Sequence, residues 1–478
     1  MGQEGVKFLD GSPVMSGLTG NTIATGESLG SGAPAITHED VARARDRDRV
    51  LAARRKGGPL SKLRLLWLLL GPGILVMLGE NDGSSMLSYA ATGARFGIGF
   101  FLPFIVLTFV MATIVQEMTV RLGAVTHRGH AELIFARFGP FWGWFSMIDL
   151  AIGNFLTLIT EFIAIRAGLG FLGVKPWVAV SCSVMLLYFA ILTRRYWTWE
   201  RITLAIAVFN LVFVPLAFMS KPDWASIGRS FVSWKPLPGG ANETLLMILS
   251  TIGATVTPWM LFFQQSATAD KGLTRSDIKF GRIDTLLGAT LAAAAALGVV
   301  VVTAPLFARH MAPANFQAAE FAQALQPVIG RFGSILFSLG MVEAGMVAAI
   351  TISASSAYAF GEVAGTPHSL NLTLREGKAF YSVLFFCVAL AAAMALIPAL
   401  PLIYVVMTVN VVAVLAMPPA LAFLFLLAND KEIMGNLVSP RWANLLTAAV
   451  VVLLTSAGVL FGISVIAPKV FVALAGHL

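Results

Sequence analysis

The segment Glu80-Asn81-Asp82-Gly83-Ser84-Ser85 sets two carboxylates, an amide and two hydroxyls between the apolar stretches Leu65 to Leu78 and Met86 to Ala94. Carboxylates are costly inside a bilayer and default to a functional role, so this interruption is read as the substrate site. A second interruption, Gly253-Ala254-Thr255-Val256-Thr257-Pro258-Trp259, follows another apolar run and precedes Met260 to Ala269. Pro258 removes a backbone donor and breaks the helical ladder. Unwound carbonyls and half-helix ends at two such breaks can replace water around an ion. The plainer reading is that Gly and Pro only kink packed helices, as they often do in membranes.

The elements that must position these breaks are membrane spans. Of the 478 residues 57% are hydrophobic and only 12% charged, and the mean hydropathy is +0.81. A soluble core of this apolarity would have no polar surface, so the chain is an all-α polytopic membrane protein. The net charge of +8 could suggest nucleic acid, but the Lys and Arg lie mainly in the N-terminal tail and between spans, where they signal topology. Cys182 and Cys387 each stand in an apolar run and offer neither a disulfide framework nor a thiolate metal site.

At roughly 20 apolar residues per helix the sequence predicts about eleven spans. They fall near 64–95, 97–122, 140–172, 175–193, 200–219, 243–269, 282–308, 330–360, 379–398, 400–428 and 441–466. Basic residues concentrate in alternate connections, for example Arg121, Arg128 and Arg137, then Lys271, Arg275, Lys279 and Arg282. Those connections and the N-terminus are expected to be cytoplasmic, and the C-terminus outside. Residues 1–60 read as a disordered cytoplasmic tail, 61–428 as the transporter core, and 429–478 as a loop, an eleventh helix and the C-terminus. Spans one and six are both interrupted, five helices apart. That is the pattern of a LeuT-like five-plus-five inverted repeat, here about 64–219 and 243–428, with its site at the midplane.

Gly71-Pro72-Gly73 followed by Asp82, Gln116 before Arg121-Leu122-Gly123-Ala124-Val125-Thr126, Ala131-Glu132, the Ala254-to-Pro258 break and Asn429-Asp430-Lys431-Glu432-Ile433-Met434-Gly435 resemble the Nramp divalent-metal transporters in order and spacing. The resemblance covers roughly residues 64 to 440. It implies a divalent cation as transported substrate, with no cofactor and no enzymatic activity.

The departures from the family pattern are informative. Its Asp-Pro-Gly-Asn becomes Asp82-Gly83-Ser84-Ser85, so Ser85 stands where the family has an asparagine ligand. Its Met-Pro-His becomes Thr257-Pro258-Trp259, which removes a thioether and a histidine, and its Asp-x-x-Glu becomes Leu158-Ile159-Thr160-Glu161. These changes, with Glu80 two residues before Asp82, resemble the Nramp-related magnesium transporter branch and imply hard divalent cations moved without proton coupling.

Thioethers favour softer metals, whereas hydroxyls, carbonyls and carboxylates suit magnesium, calcium and manganese. Magnesium keeps much of its water and needs one or two carboxylates. Asp82 is therefore the expected direct ligand, and Glu80 binds through water or lines the vestibule. Ser85, Thr257 and Asn410, the last falling where the family has a span-ten glutamine, would supply neutral oxygens, and Gly253 and Ala254 backbone carbonyls. Trp259 and Asn81 are expected on the cavity wall. Glu161 and Glu343 are carried as possible relays or structural charges; for Glu161, Asp149 and Arg166 the reading is a structural ion pair or a protonated carboxyl facing a water-filled crevice, whereas Glu343, new relative to the family pattern, could help conduct cations. The six histidines all fall in loops or tails, so no histidine metal cluster is expected in the membrane.

The expected function is import of magnesium, and also manganese, by alternating access at a prokaryotic plasma membrane, by a monomer. A proton-coupled manganese or iron transporter and a LeuT-fold organic-solute symporter are the alternatives. Two acidic residues in the first break argue against a substrate carboxylate there. A membrane hydrolase using Ser84 or Ser85 would lack an activating histidine or lysine.

Overall fold

The computed structural model describes residues 38–56, 58–233, 241–312, 318–397 and 402–466. The chain divides after Thr37, and the second unit is His38–Leu478. All its regular elements, among the described residues, are helical. α1 (His38–Lys56) and α2 (Pro59–Leu69) lead into α3 (Pro72–Glu80) and α4 (Gly83–Phe96). α5 (Phe101–Thr126), the short α6 (His130–Phe138), α7 (Pro140–Phe171) and α8 (Pro176–Ile191) follow. A 3-10 turn, Val208–Val212, joins α9 (Tyr196–Ala207) to α10 (Phe213–Met219), and α11 (Trp224–Ser230) closes the first half.

The second half opens with α12 (Ala241–Gly253) and α13 (Pro258–Asp270). It continues through α14 (Ile278–Ala308), α15 (Ala318–Ala364), α16 (Lys378–Ala395) and α17 (Leu402–Asn429). α18 (Lys431–Met434) and α19 (Arg441–Ile466) complete it. Among the described residues nine helices are long and apolar enough to cross a membrane, or ten with the pair Leu63–Leu69 and Pro72–Glu80, bent by 54°, taken as one span. The shorter apolar α8, of 16 residues, occupies the expected fourth span. Both expected breaks are present, at Asn81–Asp82 between α3 and α4 and at Ala254–Thr257 between α12 and α13.

Residues 1–37 of the tail lie outside the described ones, but its later part, His38–Lys56, is a helix and not the disordered chain its composition predicts to residue 60. Its Ala, Arg and Glu are good helix formers, and Asp46 pairs with Arg49 one turn on at 3.2 Å. Tertiary partners complete it: Arg54 bonds Asp277 and Ser276, and Asp46 lies 3.6 Å from Arg195.

The glycines and prolines of Gly71-Pro72-Gly73 start α3 in a confined space. An added Cβ on Gly73 would lie 2.5 Å from the Thr285 backbone nitrogen, so α3 and α14 touch backbone to backbone, as small residues allow in membranes. Asp284 of α14 accepts from the Gly71 and Gly73 amides at 2.9 and 2.6 Å, satisfying donors that a helix start leaves orphaned. Just before α3, the Leu70 carbonyl accepts from Lys271 at 2.8 Å, and the same ammonium bonds both Glu200 oxygens at 2.8 and 2.9 Å. Further family-like motifs are tied by charge. Buried Arg121 donates to the Leu437 carbonyl at 2.6 Å and to Ser439 at 2.9 Å, and Arg137 meets Asp430 at 2.7 Å and Glu432 at 2.9 Å.

The Lys271–Glu200 pair has no exposure on either side chain. Removing one partner of such a pair leaves an uncompensated charge at a cost of about 3–5 kcal/mol, whereas replacing both by apolar residues is often neutral. Thermal unfolding of the purified full chain should therefore show Lys271→Met strongly destabilised and the double variant Lys271→Met/Glu200→Leu close to wild type.

Candidate functional site

The two breaks meet. Glu80 ends α3, and its Oε2 accepts from the Thr257 hydroxyl, the residue before α13, at 2.7 Å. On the other side of the junction the Tyr89 hydroxyl of α4 donates to the Ala254 carbonyl at 2.8 Å and sits 2.9 Å from the Thr255 hydroxyl. The C-terminal ends of α3 and α12 and the N-terminal ends of α4 and α13 thus converge on one place. Carbonyl ends carry partial negative charge and favour a cation; amide ends favour anions.

Asp82 is the N-cap of α4. Its Oδ1 accepts from the Ser85 amide at 2.6 Å and from the Ser84 hydroxyl at 2.9 Å. Neither bond uses Oδ2, which leaves that oxygen for a ligand. Glu161 of α7 adds a second carboxylate to the same helix start, its Oε2 accepting from the Gly83 amide at 2.7 Å. The span-three glutamate therefore positions the break directly.

The neutral groups divide into two sets. Thr257 lies against Glu80, and the Ser85 hydroxyl is buried beside Asp82 without a hydrogen bond of ordinary geometry. Asn410 of α17 lies 3.0 Å from the Ser84 hydroxyl, whose single hydrogen it shares with Asp82, and donates to Ser88 at 2.9 Å, which holds α4 against α17. Gly253 packs so closely on the Asn410 carbonyl that any Cβ would collide with it. The Ala254 carbonyl already accepts from Tyr89 and has one lone pair left. Glu80 Oε1 and the indole N–H of Trp259, which is 1% exposed, are neighbours that make no hydrogen bond of ordinary geometry.

Asn81, expected on a cavity wall, divides its amide between two roles, with Oδ1 left without a partner. Its amide nitrogen is turned to the scaffold and donates to Asn210 Oδ1 at 3.0 Å and to the Ala292 carbonyl at 2.8 Å. Asn210 in turn donates to Glu343 at 3.1 Å. Ser355 and Ser356 make interhelical bonds, to the Trp259 carbonyl and from Asn154. No group of three or more His, Cys, Asp or Glu that could hold a metal occurs among the described residues. His130, in α6 between spans, is driven down to about 4 by burial and is neutral. Any ion held at the breaks would be bound by one or two carboxylates with neutral oxygens.

Sequence reasoning missed Tyr89, Asn210, Asp284, Glu200 and the Lys271 pairing. A signal existed for some of them. Asn210 and Asp284 are polar residues inside apolar runs, and Tyr89 lies seven residues after Asp82, on the same face of α4.

A membrane transporter of the LeuT-like inverted-repeat class is what two broken helices joined at mid-span define. Residues 73–464 match the family described as Natural resistance-associated macrophage protein-like, and the chain belongs to that Nramp family, whose members are transporters and not enzymes. Among its relatives is the "Divalent metal cation transporter MntH" of Deinococcus radiodurans, 25% identical over 81% of this chain and 87% of the relative. The "Divalent metal cation transporter MntH 1" of Pseudomonas aeruginosa is 26% identical over 83% and 91%. The crystal structure of the Eremococcus coleocola manganese transporter superposes with a TM-score of 0.70 at 21% identity, covering 85% of this chain and 88% of that one. That similarity establishes the fold.

Asp82 has two separable properties, an acceptor that caps α4 and a negative charge. Losing an N-cap acceptor costs about 1 kcal/mol. Thermal unfolding should show Asp82→Ala lowered by that scale and Asp82→Asn, which keeps an acceptor oxygen, close to wild type.

Proposed function

We propose that the chain imports divalent cations, magnesium and manganese, by alternating access and without proton coupling. The observation that carries this reading is the pairing of Glu80 and Thr257 across the two breaks, beside Asp82 with one carboxylate oxygen left open. The donors at the junction are all oxygens, with a threonine hydroxyl where the family has a thioether. Such a set favours hard cations over soft ones. The buried Ser85 hydroxyl and Glu80 Oε1 would serve as outer-sphere partners of an ion that keeps part of its water. Gly253 and Ala254 are carried as carbonyl donors, with Asn410 as an acceptor one step removed.

The absence of proton coupling rests on Trp259 and Leu158. An indole has a single N–H donor and cannot relay a proton as imidazole does. Glu161 is engaged in holding the start of α4. Manganese as the principal cargo is the second reading, favoured by the likeness to the Eremococcus coleocola manganese transporter. Membership of the magnesium transporter branch, a prokaryotic plasma-membrane location, a cytoplasmic N-terminus and an external C-terminus belong to the same proposal.

Proteoliposomes loaded with a metal indicator and a pH dye test it. Magnesium and manganese should enter and compete with each other while the lumen keeps its pH, and metal entry tightly coupled to acidification would overturn the proposal. Asp82→Ala should abolish uptake in protein that remains folded. Thr257→Met should shift preference towards cadmium and manganese, read by competition against magnesium uptake.

A further inference from the structure

Glu343 is used by neither the junction nor the ion pairs of the fold. It is 6% exposed. Its only hydrogen bond among the described residues is from the Asn210 amide to Oε2 at 3.1 Å, and Oε1 is buried with no partner. A Cβ on Gly79 would approach Thr351 and one on Gly83 would approach Gly345. α15 therefore runs antiparallel to α3 and α4, and Glu343 lies on the α4 side of the first break.

Asn210 occupies the 3-10 turn between α9 and α10, a short departure from α-helix of the kind that often marks a working position in a helix. Its amide links two acidic neighbourhoods: Oδ1 accepts from Asn81 at 3.0 Å, while Nδ2 serves Glu343. Asn81 Oδ1 is likewise buried without a partner. An amide oxygen and an ionised carboxylate oxygen can only accept. Left unmet in a buried setting they are costly, and a cation with its water supplies donors and charge to both. A protonated, neutral carboxyl would leave an O–H at Oε1 equally without a partner.

We propose that Glu343 and Asn81, held together through the Asn210 amide, form a second cation station beside the Glu80–Asp82 junction, where the divalent cargo pauses with its water shell during passage. This rests on the reading of the chain as a divalent-cation transporter. One carboxylate and one amide oxygen make the station weaker than the junction with its two carboxylates.

Isothermal titration of the full chain in lipid nanodiscs with manganese tests it. Wild type should show two classes of site, Asp82→Ala the weaker alone, and Glu343→Gln, which keeps an acceptor for Asn210, the tighter alone. Glu343→Asp should restore the weaker class, which separates loss of charge from loss of fold. In uptake, Glu343→Gln should raise KM roughly tenfold, about 1.4 kcal/mol, with its pH profile unmoved. Two classes persisting in Glu343→Gln would overturn the station. So would a shifted pH profile with unchanged manganese affinity, which would make Glu343 a proton carrier. Retention of the tighter class in Asp82→Ala would instead refute the junction as the main site, and Glu343→Gln would still decide the station.

Discussion

The hydrogen bond from Thr257 to Glu80 at 2.7 Å joins two helices that each stop in mid-membrane. A broken helix exposes backbone groups that lipid cannot satisfy, and non-helical backbone at that depth persists only where protein or a water-lined cavity covers it. Each break here completes the other. Tyr89 takes up the Ala254 carbonyl, Asp82 and Glu161 take up the first amides of α4, and Asn410 fixes α4 to α17. At the junction the polar groups that remain open are acidic or neutral oxygens, together with the Trp259 indole N–H beside Glu80. The same arrangement that makes the break tolerable leaves a place suited to a hard cation.

A second set of buried charges governs how that junction is held. Asp284 caps the start of α3 while Lys271 reaches both the Leu70 carbonyl and Glu200. α3 is thus tied to α14 at its first turn and to α4 through two residues at its last. α1 adds contacts to the connections around it, through Arg54 on Asp277 and Asp46 on Arg195.

Much of this was legible in the sequence because lipid makes polar residues conspicuous. Both breaks, the helical spans and the acidic pair Glu80 and Asp82 stood out against apolar runs. What was not legible depends on partners far apart in the chain. Asn81 reads as a pocket residue until Asn210, 129 positions away, is seen to accept its amide. Asp284 reads as one more acidic residue until its carboxylate is found on Gly71, 213 positions earlier. Glu161 reads as the remnant of a relay, and only the distance to the Gly83 amide assigns it to the start of α4. Charge-rich α1 resembles a solvated tail in composition, and its order follows from tertiary ion pairs that no local pattern announces.

The claim on which the rest turns is that cargo is held at the helix junction by oxygen alone, with Asp82 as a direct ligand. X-ray absorption on manganese bound to the full chain reports the donor atoms without reference to transport. A shell of oxygen only, disrupted in Asp82→Ala, is the expected result. Sulfur in the first shell, or a spectrum of the tightly bound ion unchanged in Asp82→Ala, would contradict it.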